Sequence, residues 1–420
     1  MRLGEKIDRA NAEAVSKMLA SRPVWVDVRP LKEVVTLPGA RTLTHSGPPV
    51  SLGAMSGAQF GACIAAAVFE GWAPNAEEAE FYYDEPGELY IHTNHSLGGV
   101  GPMAGVATPN MPVFVIEERG EGPRKGALAY ACLEEPRMNF GGFDDEALRI
   151  RRAWRDELGP LLGAAVRASG GIALDDIMAR ALHRGDELHN RPAAATQLML
   201  GALLPALVRL DAARDAVVRA IEWIRDDEIF FLSLAMGAAK LIADAGRGVE
   251  DSTLVVAMAR NGTEFGIQLS GTGDRWFTAK SPEVKGLFLP GYGTADAGLD
   301  MGDSAITETV GLGAFVLQGA PAITEMLGIT VADAARISAL MRKITVSSHP
   351  RFTTPALDFR GAPFGIDLRK VLDTNITPFI DTAIAHKEPG HPVLGAGLVE
   401  APLECFTKAA LAFGKDREIV

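Results

Sequence analysis

The run His183-Arg-Gly-Asp-Glu-Leu-His-Asn-Arg191 holds an aspartate and a histidine three residues apart, Asp186 and His189. On a helix such a pair shares one face. An imidazole oriented by a carboxylate moves protons, and the same pair can supply two ligands to a metal. The His-Glu-x-x-His spacing of a zinc enzyme is missing, and a capped helix end before Pro192 explains the same residues. His386, in Ala385-His-Lys387, is a second imidazole suited to proton transfer near neutral pH, beside the cation Lys387. A purely structural histidine is the plain alternative there.

The densest polar stretch begins at Ala259 with Arg260, Asn261, Gly262, Thr263 and Glu264, and continues into Ser270-Gly-Thr-Gly-Asp-Arg-Trp-Phe-Thr278. Two strands joined by a glycine turn would bring Arg260, Glu264, Asp274 and Arg275 to one edge. Gly271 and Gly273 would let backbone amides approach an anion. An arginine fork matches a carboxylate or a phosphate. A surface hairpin with ordinary salt bridges is the competing explanation. Further on, Asp296, Asp300 and Asp303 precede an expected helix starting near Ser304, with Glu308 one turn inside it. Ser304 would cap that helix and leave amides for an anion. Arg360 adds one more cation. His92 and His95 flank Asn94, just before a glycine-rich loop that ends at Gly105, where a ligand could approach the backbone closely.

Other chemistries are poorly served. The glycine-rich loop has neither a P-loop nor a dinucleotide fingerprint, and there is no Gly-x-Ser-x-Gly elbow. Cys63, Cys132 and Cys405 are far apart and lie in apolar runs, so neither a disulfide framework nor a thiol nucleophile is expected. No cofactor and no metal centre are expected. A net charge of −12 disfavours a nucleic-acid partner. Arginine, glycine, aspartate, asparagine and histidine dominate the candidate stretches. That palette binds a small anion and stabilises a developing oxyanion without a covalent step.

These groups need elements to place them. The length of 420 residues suits two to four domains. Residues 1–145 alternate expected strands, such as 23–28 and 113–116, with helical runs, which suggests an α/β domain. Residues 146–248 repeat apolar positions at helical spacing and read as a mainly helical section. Residues 249–420 mix both patterns and read as an α+β domain carrying the site loops. The fold class expected is thus α/β plus α+β. The longest apolar stretch, 193–208, is too short to span a membrane and is expected to be a buried helix. The charged opening residues are unlike a signal peptide, and a cytoplasmic setting is the simple reading.

Several long runs together resemble one known family. They are Leu43-Thr-His-Ser-Gly-Pro-Pro49, Glu70-Gly-Trp-Ala73, Val100-Gly-Pro-Met-Ala-Gly105, Gly185 to Arg191, Met258 to Gly266, Ser270 to Thr278, Gly302 to Thr309, Phe359-Arg-Gly and Ala385-His-Lys387. The chain is similar, from about His45 to Cys405, to the YlbE/AllG-type subunits found with an FdrA-like protein and associated with oxamate carbamoyltransferase. The resemblance implies phosphate-dependent cleavage of a ureido acid during allantoin and purine breakdown. Oxalurate and phosphate would give oxamate and carbamoyl phosphate, in an oligomeric assembly of an FdrA-like subunit and a third component. Two places depart from the family pattern. Asp227-Glu228-Ile229 stands where an Asn-Asp-His is usual, and Leu133-Glu-Glu-Pro136 replaces an Asn-Glu-Gly.

For such a reaction Arg260 and Arg275 are the expected clamps for carboxylate and phosphate. Amides around Gly271 and Gly273 would stabilise the oxyanion, and His189 with Asp186, or His386, would move the proton. Asn261, Glu264, Asp303, Ser304, Arg360 and Lys387 would complete the anion site. Two alternatives stand beside this reading. One is an amidohydrolase acting on a related ureido or cyclic amide. The other is a non-catalytic partner of an FdrA-like enzyme.

Overall fold

In the computed structural model, residues 2–83, 89–133 and 139–417 are described. The departure at Leu133–Pro136 falls, from residue 134 on, outside them. Helices and several small sheets alternate along the chain, in keeping with an α/β plus α+β fold.

Among the described residues the first sheet runs in the order Gly99–Val100, Leu128–Cys132, Pro112–Glu118, Pro23–Pro30, Ile172–Ala173. Its pairings are antiparallel except at the Gly99–Val100 edge. The last strand belongs to the helical middle section, which thereby joins the sheet of the first section. One core gathers residues from Ala10 to Phe364. At its centre Phe114 makes edge contacts with Trp25, Trp154 and Phe230 at centroid separations of 5.5, 6.1 and 5.6 Å. Edge-to-face rings of this kind add to the stabilisation from area burial.

The helix Phe231–Ala245 lies across that sheet and is buried almost throughout. Gly237 allows it to sit so low, since a Cβ there would stand 2.5 Å from Ile116 Cδ1. Two charged residues on this helix, Lys240 and Asp244, are nonetheless inside. The helix Ala193–Leu207 corrects the expectation of a buried helix. One face packs inward through Ala195, Leu198, Met199, Leu203 and Leu207, while Leu204 and the following Val208 are exposed.

A second sheet orders Phe277–Lys280, Glu264–Leu269, Val255–Asn261 and Met301–Gly302. A third holds Lys285–Phe288, Gly395–Glu400 and Phe379–Ile384. Both border a second core running from Val255 to Ala409. Asn11, on the opening helix Leu3–Leu19, ties the two halves together. Its amide nitrogen donates to Thr253 Oγ1 and Asp367 Oδ2 at 3.0 and 3.2 Å. Its amide oxygen accepts from Thr253 N and Ser252 Oγ at 2.9 and 3.0 Å.

His349 is buried on the strand Thr345–Thr354, stacked on Phe352 with centroids 3.8 Å apart. Its Nδ1 accepts the backbone N–H groups of Arg351 and Phe352. Burial, helped by the cations Arg351 and Arg22, pushes its pKa down to about 3. The unfolded chain therefore binds a proton here near pH 6.5 that the folded chain refuses. The stability this neutral imidazole contributes is complete above pH 6.5 and lost as pH falls toward 3, by about 1.4 kcal/mol per unit. Urea unfolding of the protein and of His349→Asn, at pH 6.5 and pH 5, is expected to show that much less acid sensitivity in the variant. Equal slopes would refute it.

Candidate functional site

The parallel strands Thr42–His45 and Tyr90–Thr93 end side by side. Each runs into a loop, one through Ser46 to Pro49 and one through Asn94 into the glycine-rich segment. Asp303 holds both loops. Its Oδ1 accepts Gly47 N at 2.7 Å, and its Oδ2 accepts Gly101 N at 2.8 Å and Asn94 Nδ2 at 3.2 Å. Gly47 has a positive φ of 87°, and a Cβ there would meet the Arg260 carbonyl carbon at 2.5 Å. The first loop therefore lies directly on the strand Val255–Asn261, a close approach that only glycine permits.

Beside these loops opens a cleft of about 570 Å³. His45, His92 and His95 line it from the loop side, Lys240, Asp244 and Arg247 from the end of the buried helix, and Gln268, Asp274 and Trp276 from the second sheet. Its size falls in the usual range for small-molecule sites, roughly 300–1,000 Å³. Burial holds the pKa values of His45 and His95 below the ordinary histidine value. His95 stands edge-on to Trp276 at 5.3 Å, with Nε2 3.5 Å from Asp303 Oδ1 and neither ring nitrogen in a hydrogen bond. A neutral imidazole donates from one nitrogen and accepts at the other. His45 Nδ1 donates to Ser46 O at 2.9 Å, which leaves its Nε2 as an acceptor.

Lys240 Nζ donates to Asp244 at 2.8 Å, and burial lowers the lysine pKa. For Asp244, burial pushes upward, but Lys240, Arg247 and Arg124 outweigh it and bring the carboxyl to about 2. Arg247 also donates to Gln268 Oε1 at 2.8 Å and lies 3.3 Å from Asp274 Oδ1. The end of the helix thus presents two cations against one largely buried carboxylate, with Asp274 at the rim. That arrangement suits a small, planar, anionic, hydrogen-bonding ligand.

A second cleft, about 610 Å³, is lined by His386, Lys387, Glu283, Ser56 and Gly262, among others. There Lys387 Nζ donates to Ala295 O at 2.7 Å, and His386 Nδ1 accepts the Glu388 N–H at 2.9 Å.

The residues singled out from sequence divide between these places and the interior. Arg260 is wholly buried. It grips both oxygens of Asp300 at 2.7 and 3.0 Å and donates to Gly302 O, Ser304 Oγ and Thr382 Oγ1. No donor is left for a substrate. Asn261 donates to Pro48 O at 3.0 Å and accepts the N–H groups of Thr263 and Glu264, so it shapes the turn under the first loop. Glu264 accepts from Thr278 Oγ1. The Gly271 N–H is engaged by Ser252 O at 3.0 Å, while the Gly273 carbonyl accepts from Arg247 at 3.5 Å. Arg275 points to Asp416 near the C-terminus, and Arg360 is exposed on the strand Arg360–Ile366. Arg260, Arg275, Asp303, Arg360 and His386 therefore do not converge on one surface.

The expected pairing of Asp186 with His189 is corrected too, because residues 183–192 form turns and no helix. Asp186 accepts the N–H groups of Ala194 and Ala195 at 3.1 and 2.8 Å and caps the helix Ala193–Leu207. His189 turns to Glu308 and Asp381. The helix expected from Ser304 is a single turn, Ile306–Thr309, which Ser304 precedes without capping.

Sequence reasoning passed over Lys240, Asp244, Arg247 and Trp276. A signal was present. A lysine and an aspartate four residues apart inside an otherwise apolar helix must be buried as a pair, and buried charges are rare without a reason.

A family model described as oxamate carbamoyltransferase subunit AllG matches residues 90–304. Among curated proteins, the oxamate carbamoyltransferase subunit AllG of Escherichia coli (strain K12) is 39% identical, over 98% of this chain and 99% of its own length. The uncharacterized protein YahG of the same organism is 38% identical over 98% of this chain and 87% of its length. A crystal structure of a conserved protein of unknown function from Enterococcus faecalis V583 superposes with a TM-score of 0.95 at 41% identity, covering 99% of each chain. Among the described residues no helix is long and apolar enough to cross a membrane. With a relative this similar matching end to end, and the family model covering the segment that carries most of the first cleft, this chain belongs to the oxamate carbamoyltransferase subunit AllG family.

Proposed function

We propose that this chain is the ureido-acid-binding subunit of a carbamoyltransferase. The substrate is a small ureido acid such as oxalurate, which phosphate cleaves to carbamoyl phosphate and oxamate. The enzyme is an assembly with an FdrA-like subunit and a third component. The observation that carries the reading is the first cleft, where neutral imidazoles face the Lys240 and Arg247 cations across a space of about 570 Å³.

In this reading a phosphate oxygen adds to the ureido carbonyl carbon, and the bond from that carbon to the inner nitrogen breaks. The proton leaving phosphate goes to that nitrogen, so oxamate departs as a neutral amide bearing its carboxylate. Arg247 and Lys240 hold the anionic groups. His95 and His45 hydrogen-bond the ureido unit, and His95, edge-on to Trp276, relays the proton. A neutral donor fixed in place before the reaction, His95, stabilises the developing oxyanion without reorganisation. The cationic helix end favours this reading over a site for an uncharged amide.

The test is reconstitution with an FdrA-like partner and the third component, followed by assay of oxalurate with and without phosphate. Carbamoyl phosphate formed only with phosphate is the expected result. Turnover indifferent to phosphate would establish a hydrolase instead. Full activity in assemblies carrying His95→Ala would reduce this chain to a non-catalytic partner.

A further inference from the structure

The loop through His189, the turn Ile306–Thr309 and the strand Phe379–Ile384 meet at a point whose side chains line neither cleft. His189 Nδ1 stands 2.8 Å from Glu308 Oε1 and 3.4 Å from Asp381 Oδ1. One donor atom from each of the three residues lies within 4.8 Å of the others, and all three residues are buried. Neither oxygen of Asp381 accepts a hydrogen bond, although the residue is 0% exposed. The cradle is closed by backbone. At Gly313, with φ at 56°, a Cβ would stand 2.0 Å from Glu308 Oε1 and 2.8 Å from Asp381 Oδ1.

A third acid, Glu187, is buried beside them, its oxygens accepting the N–H groups of His189 and Arg191. One imidazole faces these three buried acids, and the Asp381 oxygens are left without a hydrogen bond, which is costly for a buried polar group.

Donors around a tetrahedral divalent ion with bonds near 2.1 Å lie about 3.4 Å apart. The His189–Asp381 separation already fits, and the His189–Glu308 pair needs to open by about half an ångström. One imidazole with carboxylates is a mixed nitrogen and oxygen set, which suits first-row divalent ions better than calcium. We propose that His189, Glu308 and Asp381 bind one first-row divalent cation of the zinc or manganese class, as a structural centre pinning the 187–191 loop against the third sheet. Its complete burial leaves no side open to a substrate, as in structural centres generally. The proposal does not rest on the carbamoyl-transfer reading, and its test needs no activity.

Tag-free protein prepared without chelator is analysed for metals, then stripped and titrated separately with Zn²⁺ and Mn²⁺ by calorimetry and thermal melting. About one equivalent per chain, and a Tm raised by several degrees on addition of one of the two ions, are expected. Asp381→Asn should weaken binding on the order of 100-fold, since even outer-shell partners cost roughly 10–100-fold. Glu308→Gln provides the same comparison if the first variant does not fold. No metal on isolation and no response to either ion would overturn the proposal. So would binding unchanged in both variants, which would move the ion to another group such as the more exposed His386, Glu388 and His391.

Discussion

Arg247→Ala in the assembled enzyme is expected to lower kcat/KM for the ureido acid by about 10²–10³-fold while the fold stays intact. The side chain is 18% exposed, so it reaches the cleft without being sealed in the core. Its present partners are Asp244, Gln268, Asp274 and the Gly273 carbonyl. Removing it leaves Asp244 paired with Lys240, so no buried charge is stranded. The loss is then one charge-assisted grip on the anion, worth roughly 3–4 kcal/mol when it acts in the transition state. If Arg247 holds the ground-state carboxylate or phosphate equally well, the effect appears in KM. If it meets charge that develops during transfer, it appears in kcat. Arg247→Lys should recover only part of the rate, because a point charge replaces a planar fork. A kcat/KM unchanged within twofold in Arg247→Ala would sink the assignment of this cleft.

Arg260→Ala is expected to act in the opposite way, on stability. The guanidinium satisfies Asp300 at two oxygens and spends its remaining N–H groups on Gly302, Ser304 and Thr382. Its removal strands a buried carboxylate and frees the turn that carries Asp303. Breaking a buried ion pair on one side costs about 3–5 kcal/mol. Urea unfolding should show that loss, or the variant should fail to accumulate as folded protein. Arg260→Ala with an unchanged unfolding midpoint would contradict the reading of this residue as a structural hub.

The contrast between these two arginines shows what was legible beforehand. Periodicity placed strands at 23–28 and 113–116, inside the observed Pro23–Pro30 and Pro112–Glu118. That works because local spacing records which face is buried. The polar loops were legible as chemistry, and most of their residues do hydrogen-bond one another. Where each donor ends is a property of the folded chain. Arg260 spends its grip 40 residues away on Asp300, and His189 finds Glu308 at a separation of 119. The cleft draws on residues near 45–51, 91–98, 240–247 and 268–276, and no spacing rule connects them. Arg275 was singled out as an anion clamp, yet it faces the C-terminal helix Leu403–Lys415 and the adjacent Asp416.

Asn11 has a consequence for how the molecule is made. Its amide is satisfied by Ser252 and Thr253, 241 and 242 residues later, and by Asp367, 356 residues later. The helix Leu3–Leu19 is made long before its polar anchors, and 241 residues separate Asn11 from Ser252. Closure of a loop this long is slow, and contacts of high sequence separation form late. Until those residues are made, the apolar face of this helix lacks these anchors, and an exposed apolar face of that kind is prone to aggregate. Docking of this helix through Asn11 thus belongs with the long-range contacts that general folding physics places late.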